Sequence, residues 1–357
     1  MTGGHDYSIG LASYREATPA RFISTAPLSC GTPSTTAMPR NVSSGDGTPT
    51  ENGSAWELPQ RLGLASDVAR LKDFLTTWIE ACDPEVREIV RRQLGGRAKY
   101  FRPVTIFACH RAVSDKQLPG RLLSSVAALE LLHNVSLIID DILDRSRYRR
   151  GTLSLHCRFG FLPALMTAGY INSAGFKLVA TDAYSLRLLT ELIQRLGVAE
   201  CLQWRLRRRP LGVEGWRMIA GEDTGVMFET CARLGTRDDR LRRFGYLLGI
   251  LYHGCDDVAD VRGTAALGGG KEEDIVDGIL TLPAAIAMRN PETALLFSEK
   301  DPGKIGVLTK KLFQALPEAE AYLDKVAAEA ETEALANAIF PERLIALIRD
   351  TRALSKS

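Results

Sequence analysis

Between Trp56 and Ile79 the large apolar residues fall at Leu58, Leu62, Leu64, Val68, Leu71, Phe74, Leu75, Trp78 and Ile79. Steps of three and four put them on one stripe of an α-helix. The same period continues beyond Ala81, almost without the alternation that marks a half-buried strand. Helices are expected over 59–81, 84–94, 102–114, 119–143, 160–184, 186–197, 214–234, 237–262, 274–289, 303–315, 317–336 and 341–354. Pro103, Pro119, Pro163, Pro283, Pro317 and Pro341 fall near the expected starts or kinks, where a missing N–H does least harm. The pattern predicts an all-α fold, with about 12 helices around one deep apolar core. No linker after residue 55 is long enough to divide 56–357 into two domains.

Residues 1–54 read differently. About half of them are Gly, Ser, Thr or Pro, and such a segment buries too little apolar surface to offset its ordering entropy. Residues 1–55 are therefore expected to be a disordered tail. A transit peptide is the competing reading, set against it by the few arginines (Arg15, Arg21, Arg40) and the lack of an amphipathic helix. No apolar h-region marks a secretory signal, and no apolar run is expected to reach the roughly 18–20 residues that span a bilayer. A net charge of +2, with 45% hydrophobic and 25% charged residues, fits a soluble globular protein and gives no reason to expect nucleic acid. The seven cysteines are dispersed without CxxC or zinc spacing, as expected of reduced thiols in a cytoplasmic protein.

The chemistry concentrates in two places. Leu129–Gly151 (LELLHNVSLIIDDILDRSRYRRG) is an apolar helical run that ends in Asp140, Asp141 and Asp144, then Arg149 and Arg150. Asp140 and Asp144 share a helix face at i and i+4, with Asp141 beside them. Carboxylates so placed repel one another unless a cation sits between them. A hard divalent ion such as Mg²⁺, which shares its shell with phosphate oxygens, is the natural occupant. The same Asp-Asp-x-x-Asp spacing returns at Asp256, Asp257 and Asp260, again at the end of an apolar helix (Phe244–Tyr252). One such triplet is compatible with a solvated helix end; two copies more than a hundred residues apart are hard to obtain by chance.

On these motifs the chain, from about Leu58 onward, resembles the trans-isoprenyl diphosphate synthases. The resemblance implies an all-α bundle around a deep apolar cavity, working as a homodimer. Its activity is Mg²⁺-dependent condensation of an allylic prenyl diphosphate with isopentenyl diphosphate. All six aspartates are then candidate metal ligands and catalytic groups. Lys99 and Arg102, before a helix, match the positions that hold the isopentenyl diphosphate; alone, they also suit a solvated face. His133, two turns before Asp140, matches another contact to that diphosphate, although a lone histidine on an apolar face is commonly a core residue bonded to a carbonyl. Arg149 is implied on the allylic side and Arg150 on the isopentenyl side. Thr224 and Lys271 match further diphosphate contacts, Lys271 following the run Gly268-Gly269-Gly270. The basic run Trp204–Pro210 (WRLRRRP) is read as a solvated loop between helices, ahead of docking to an anionic membrane.

Departures from the family pattern fall on the allylic side. Asp223 and Ile279 stand where lysines are expected, and Tyr170 stands where an aspartate is frequent. Gly95 and Gly96 lie two residues early. The better-kept isopentenyl side favours chain elongation over a terpene cyclase or irregular coupling enzyme. A third reading is a non-catalytic partner subunit, but such a subunit has no need to keep two repelling aspartate triplets. Val135 and Ser136, just before Asp140, carry no aromatic ring, so products of C20 or longer are expected. Phe161, Met166 and Phe176 are the candidate walls farther down.

Overall fold

The structure, a computed structural model, describes residues 57–95, 99–263, 273–299 and 301–356. The expected tail, 1–55, lies outside the described residues, and so does Lys271.

Helix starts follow local chemistry. After α1 (Glu57–Arg61) and α2 (Ala65–Glu80), α3 (Pro84–Leu94) opens on Asp83, whose carboxylate accepts from the Glu85 N–H at 3.0 Å, with Pro84 in the first turn. That is a side-chain cap combined with a residue whose absent N–H costs nothing there. Asp83 donates its own N–H to the Tyr170 hydroxyl at 3.3 Å, which gives Tyr170 a tie to this helix start. Helices α4 (Phe101–Val113) and α5 (Gly120–Leu143) follow. Among the described residues α5 is the one helix long and apolar enough to cross a membrane, contrary to the expectation that no such run exists. Ser, Asn and His interrupt its apolar run in sequence, yet 72% of its most apolar window is buried within the protein, as in a core helix.

A two-stranded hairpin, absent from the all-helical expectation, comes next. β1 (Tyr148–Arg149) pairs antiparallel with β2 (Thr152–Leu153), Tyr148 opposite Leu153 and Arg149 opposite Thr152. Its two turn residues are both left-handed, Arg150 at φ +52° and Gly151 at φ +77°. Two positive φ angles match the twist of a two-residue hairpin turn, a position that favours Gly or Asn over Arg. Runs this short show no alternation, which is why helical periodicity passed over them.

Then come α6 (Leu155–Phe159), α7 (Phe161–Leu178) and α8 (Ala183–Leu206). Helix α8 passes Gly197, where it was expected to end, and carries Trp204 within its last turn. Helix α9 (Val213–Ala220) joins α10 (Val226–Thr236) through a π-helical turn, Gly221–Gly225. Helix α11 (Arg242–Arg262) presses closely on that turn: a Cβ on Gly249 would lie 2.5 Å from the Thr224 carbonyl oxygen. The expected 274–289 helix is broken into α12 (Glu273–Asp277) and α13 (Leu282–Ala287), because Thr281 caps the second piece and Gly278 takes φ +72° between them. α14 (Pro291–Ser298) is capped by Asn290. α15 (Ile305–Asn337) runs unbroken through Pro317, against an expected break there, and α16 (Glu342–Ala353) closes the chain. An interior proline removes one hydrogen bond, but Leu308, Leu312, Leu316, Leu323 and Val326 bury one face of α15 across it. Tertiary packing therefore carries the helix through. α5 packs most extensively on α7, and α11 on α15 and α10.

Candidate active site

Both aspartate motifs close buried helices. Asp140 and Asp141 end α5, with Asp144 at its C-cap, and Asp256, Asp257 and Asp260 lie in the last turns of α11. The carboxylates do different work. Asp141 is buried and accepts from Arg149 at 2.6 and 2.8 Å. Asp257 is buried and accepts from the Trp216 indole at 2.7 Å and from the Leu282 N–H at 2.8 Å, tying α11 to α9 and α13. Asp260 sits half-buried one turn on.

Asp140 and Asp256 are held differently. Burial pushes the Asp140 carboxyl up to about 8, reinforced by Glu200, Asp223 and Asp144. Burial also pushes Asp256 up to about 6, with Asp257 adding and His253, Lys99 and Arg102 opposing. Asp144 is raised by burial, against the attraction of Arg207. Carboxylates kept this high lack sufficient positive charge nearby, and their hard oxygens suit Mg²⁺. Among the described residues no three metal-binding side chains converge as a ready-made cage. Mg²⁺ does not need one, since it binds through one or two carboxylates together with waters and phosphate oxygens.

The isopentenyl-side candidates meet around a carboxylate that no motif announces. Arg102 donates to His133 Nε2 at 2.9 Å. Burial, and then Arg102, Arg150 and Arg149, hold the His133 imidazole well below its usual range, so it stays neutral and accepts that bond. Beneath them lies Glu130, 4% exposed, with Arg102 and Arg150 opposing the rise that burial imposes on it. Lys99 stands within the field of Asp256 and Arg150. Arg102 Nε and His133 Nδ1 are buried without hydrogen-bond partners among the described residues. They are two donors aimed at no protein acceptor, as an anion site requires.

The hairpin turn parts its two arginines. Arg149 reaches back to Asp141, whereas Arg150 lies in the field of Glu130.

A cavity of about 750 Å³ opens beside α5. Val135, Ser136, Ile139, Asp140, Leu143 and Asp144 line it from α5; Leu165, Ala168, Gly169 and Asn172 from α7; Ile193, Leu196, Gly197, Glu200 and Trp204 from α8. Phe161, Met166 and Phe176, the expected walls, do not line it. Phe161 and Met166 are exposed on the outer side of α7, and Phe176 packs on the core.

Asp223 and Thr224 lie in the π turn, a distortion common at functional sites. Thr224 Oγ1 is 2.9 Å from His253 Nδ1 and donates to Asp223 at 3.1 Å. Burial works against both charged partners, yet His253 holds Asp223 below the ordinary carboxylate range, and Asp257 and Asp223 bring His253 up to about 9. The negative charge at 223 is thus answered by a histidinium 3.5 Å away.

The WRLRRRP run is not a solvated loop. Trp204 and Arg207 line the cavity, and the Arg207 side chain is only 20% exposed. Its guanidinium stacks on the Trp204 ring at 4.2 Å, with Asp144 and Asp277 at 3.6 and 3.7 Å. Next to it, Arg208 takes φ +59°, donates its N–H to the Gly278 carbonyl at 2.8 Å, and sends its guanidinium to the Val276 and Glu299 carbonyls. Glu130, Glu200 and Arg207 are the site residues outside every motif. Only Glu130 had a local signal, a lone charge within an apolar helix.

These features define a largely helical protein with two aspartate-rich helix ends, the first of which lines a deep cavity. The polyprenyl synthetase family model matches residues 83–314, about two thirds of the chain, and the chain belongs to that family. Geranylgeranyl pyrophosphate synthase 7 of Arabidopsis thaliana is 27% identical over 228 residues, 57% of this chain. This chain spans 65% of that protein's length. Nonaprenyl diphosphate synthase of Mycobacterium tuberculosis is 23% identical over 65% of this chain and 73% of its own. The heptaprenyl diphosphate synthase of Staphylococcus aureus shares the fold, with TM-score 0.74 and 20% identity over 82% of this chain and 98% of its own.

Proposed function

We propose that this protein is a trans-prenyltransferase that condenses an allylic diphosphate with isopentenyl diphosphate, giving an all-trans prenyl diphosphate of C20 or longer and pyrophosphate. The observation that carries the reading is the Arg102–His133 pair over Glu130, with unpartnered donors on both side chains. A cyclase has no use for a second diphosphate site. Lys99, Arg102, His133 and Arg150 bind the isopentenyl diphosphate, and Arg149 the allylic one. Thr224 and Lys271 add further contacts, Lys271 outside the described residues. Asp140, Asp144 and Asp256 would hold Mg²⁺, which when bound would supply positive charge that eases departure of pyrophosphate.

Asp141 and Asp257, tied to Arg149 and Trp216, position the surrounding groups, and Asp260 supports the second motif. The apolar walls exclude water from the allylic cation until the isopentenyl double bond attacks it. A proton is then lost, with the released pyrophosphate as the base.

The test is incubation with dimethylallyl, geranyl, farnesyl or geranylgeranyl diphosphate, each with and without isopentenyl diphosphate. Products only when isopentenyl diphosphate is present are expected. A hydrocarbon formed without it overturns the reading in favour of cyclisation, and silence in every incubation favours a partner subunit. Val135 and Ser136 leave the cavity open at the depth where a ring would close it, so Val135→Tyr should shorten the product. An unmoved product distribution would put the floor elsewhere.

Leu162 and Met166 on α7 and Val198 on α8 are exposed apolar residues. They suit a face covered by a second copy in a homodimer, which sedimentation would reveal. The six described cysteines are free thiols, which suits a cytoplasmic location.

A further inference from the structure

At the first-motif end of the cavity, carboxylates crowd together: Asp140, Asp144, Glu200 and Asp223 all line it. Positive charge there is scarce. Among the described lining residues the guanidiniums are Arg102, Arg149 and Arg207. Arg102 is turned to His133 and Arg149 to Asp141. Asp223 and Ile279, which also line this end, bring none.

Arg207 is the exception. Its contacts to Asp144 and Asp277, at 3.6 and 3.7 Å, are longer than hydrogen bonds, and its buried Nε has no hydrogen-bond partner among the described residues. The Trp204 ring fixes the plane of the guanidinium. The backbone bond from Arg208 to Gly278 fixes where its chain leaves α8. The segment that Arg208 clasps is the one bearing Ile279.

We infer that Arg207 is a further fixed cation for the allylic diphosphate in this protein, offering planar paired donors beside Asp144. A diphosphate seated against Asp144 lies within reach of a guanidinium that has donors to spare, and two N–H groups of one fork match two phosphate oxygens. The inference rests on the proposed reading of the cavity as a prenyl diphosphate site. It makes the basic run part of that site and moves the allylic cation from α10 and the 279 position to the end of α8.

The test uses the full chain with Arg207→Gln, which keeps much of the side chain's length, and Arg207→Lys, which keeps the charge. Binding of inorganic pyrophosphate in the presence of Mg²⁺ is measured by calorimetry, alongside KM for each substrate and thermal melting. Arg207→Gln should weaken pyrophosphate binding and raise the allylic KM by roughly 10–100-fold, with isopentenyl KM within about twofold and melting unchanged. Arg207→Lys should recover part of the loss, and adding Asp223→Lys to Arg207→Gln should recover part as well. Unchanged pyrophosphate affinity in a folded Arg207→Gln protein overturns the inference, and so does an equal rise in both KM values. If the wild type binds pyrophosphate through Arg207 yet never elongates, the cation assignment stands and the elongation reading fails.

Discussion

The two halves of the site hold negative charge by opposite means. On the side proposed for isopentenyl diphosphate, cations are gathered around one buried carboxylate: Glu130 lies in the field of Arg102 and Arg150, and Arg102 leans on a neutral histidine. On the side proposed for the allylic diphosphate, carboxylates are gathered with few cations, and the histidine there is charged, between Asp223 and Asp257. The first half is organised before any substrate arrives. The second lacks positive charge, which the proposed Mg²⁺ would supply. One histidine of each kind marks the difference, His133 neutral and His253 protonated.

Removing a carboxylate from the incomplete half should have the largest effect. Asp140→Ala is expected to lower kcat by about a thousandfold or more, since the charge that eases departure loses an anchor. Melting should hold or rise, because a crowded carboxylate has been removed. Near-normal turnover at saturating Mg²⁺ would erase the distinction between the halves.

Next comes the organised half. Arg102→Ala should raise the isopentenyl KM by roughly a hundredfold, while the allylic KM stays within a few-fold. Equal rises would mean that the two diphosphates share this arginine.

A charge exchange sharpens the contrast further. Asp223→Lys combined with His253→Gln replaces a balanced pair by one free cation and is expected to lower the allylic KM by about three- to tenfold. An unaltered or raised value would give Asp223 and His253 a role of their own.

The smallest effect is on stability against pH. The His253 pKa, about 9 in the fold, lies above the value near 6.5 of an unfolded chain. Its contribution, about 3 kcal/mol at most, is full below roughly pH 6.5 and is lost as pH rises through about 9. His253→Gln should flatten the fall in melting temperature across that window. His133, held neutral by burial and nearby guanidiniums, should stay unprotonated by NMR at a pH where His253 is charged.

Much of this was legible because it is local. Each aspartate triplet ends an apolar helix within a few residues, and His133 lies two turns before Asp140 on the same stripe. Other features depend on partners far away in the chain. Gly197 looked like a helix end, but packing of α8 carries it to Leu206. The arginines after it looked solvated, but in the fold residue 208 bonds residue 278 and Arg207 lines the cavity beside Trp204 and Asp144. The charge at Asp223 looked like a deficit until the fold brought His253 alongside. Periodicity speaks for faces of single helices; it is silent on which two segments will meet.

A ribbon of two paired residues has no slack. Arg149 and Arg150 flank a single peptide bond, yet the Arg149 guanidinium reaches Asp141 while Arg150 lies in the field of Glu130. One added residue at that point could not be absorbed as a longer loop without swinging one arginine off its partner. The spacing between those two guanidiniums is set by one link in the chain.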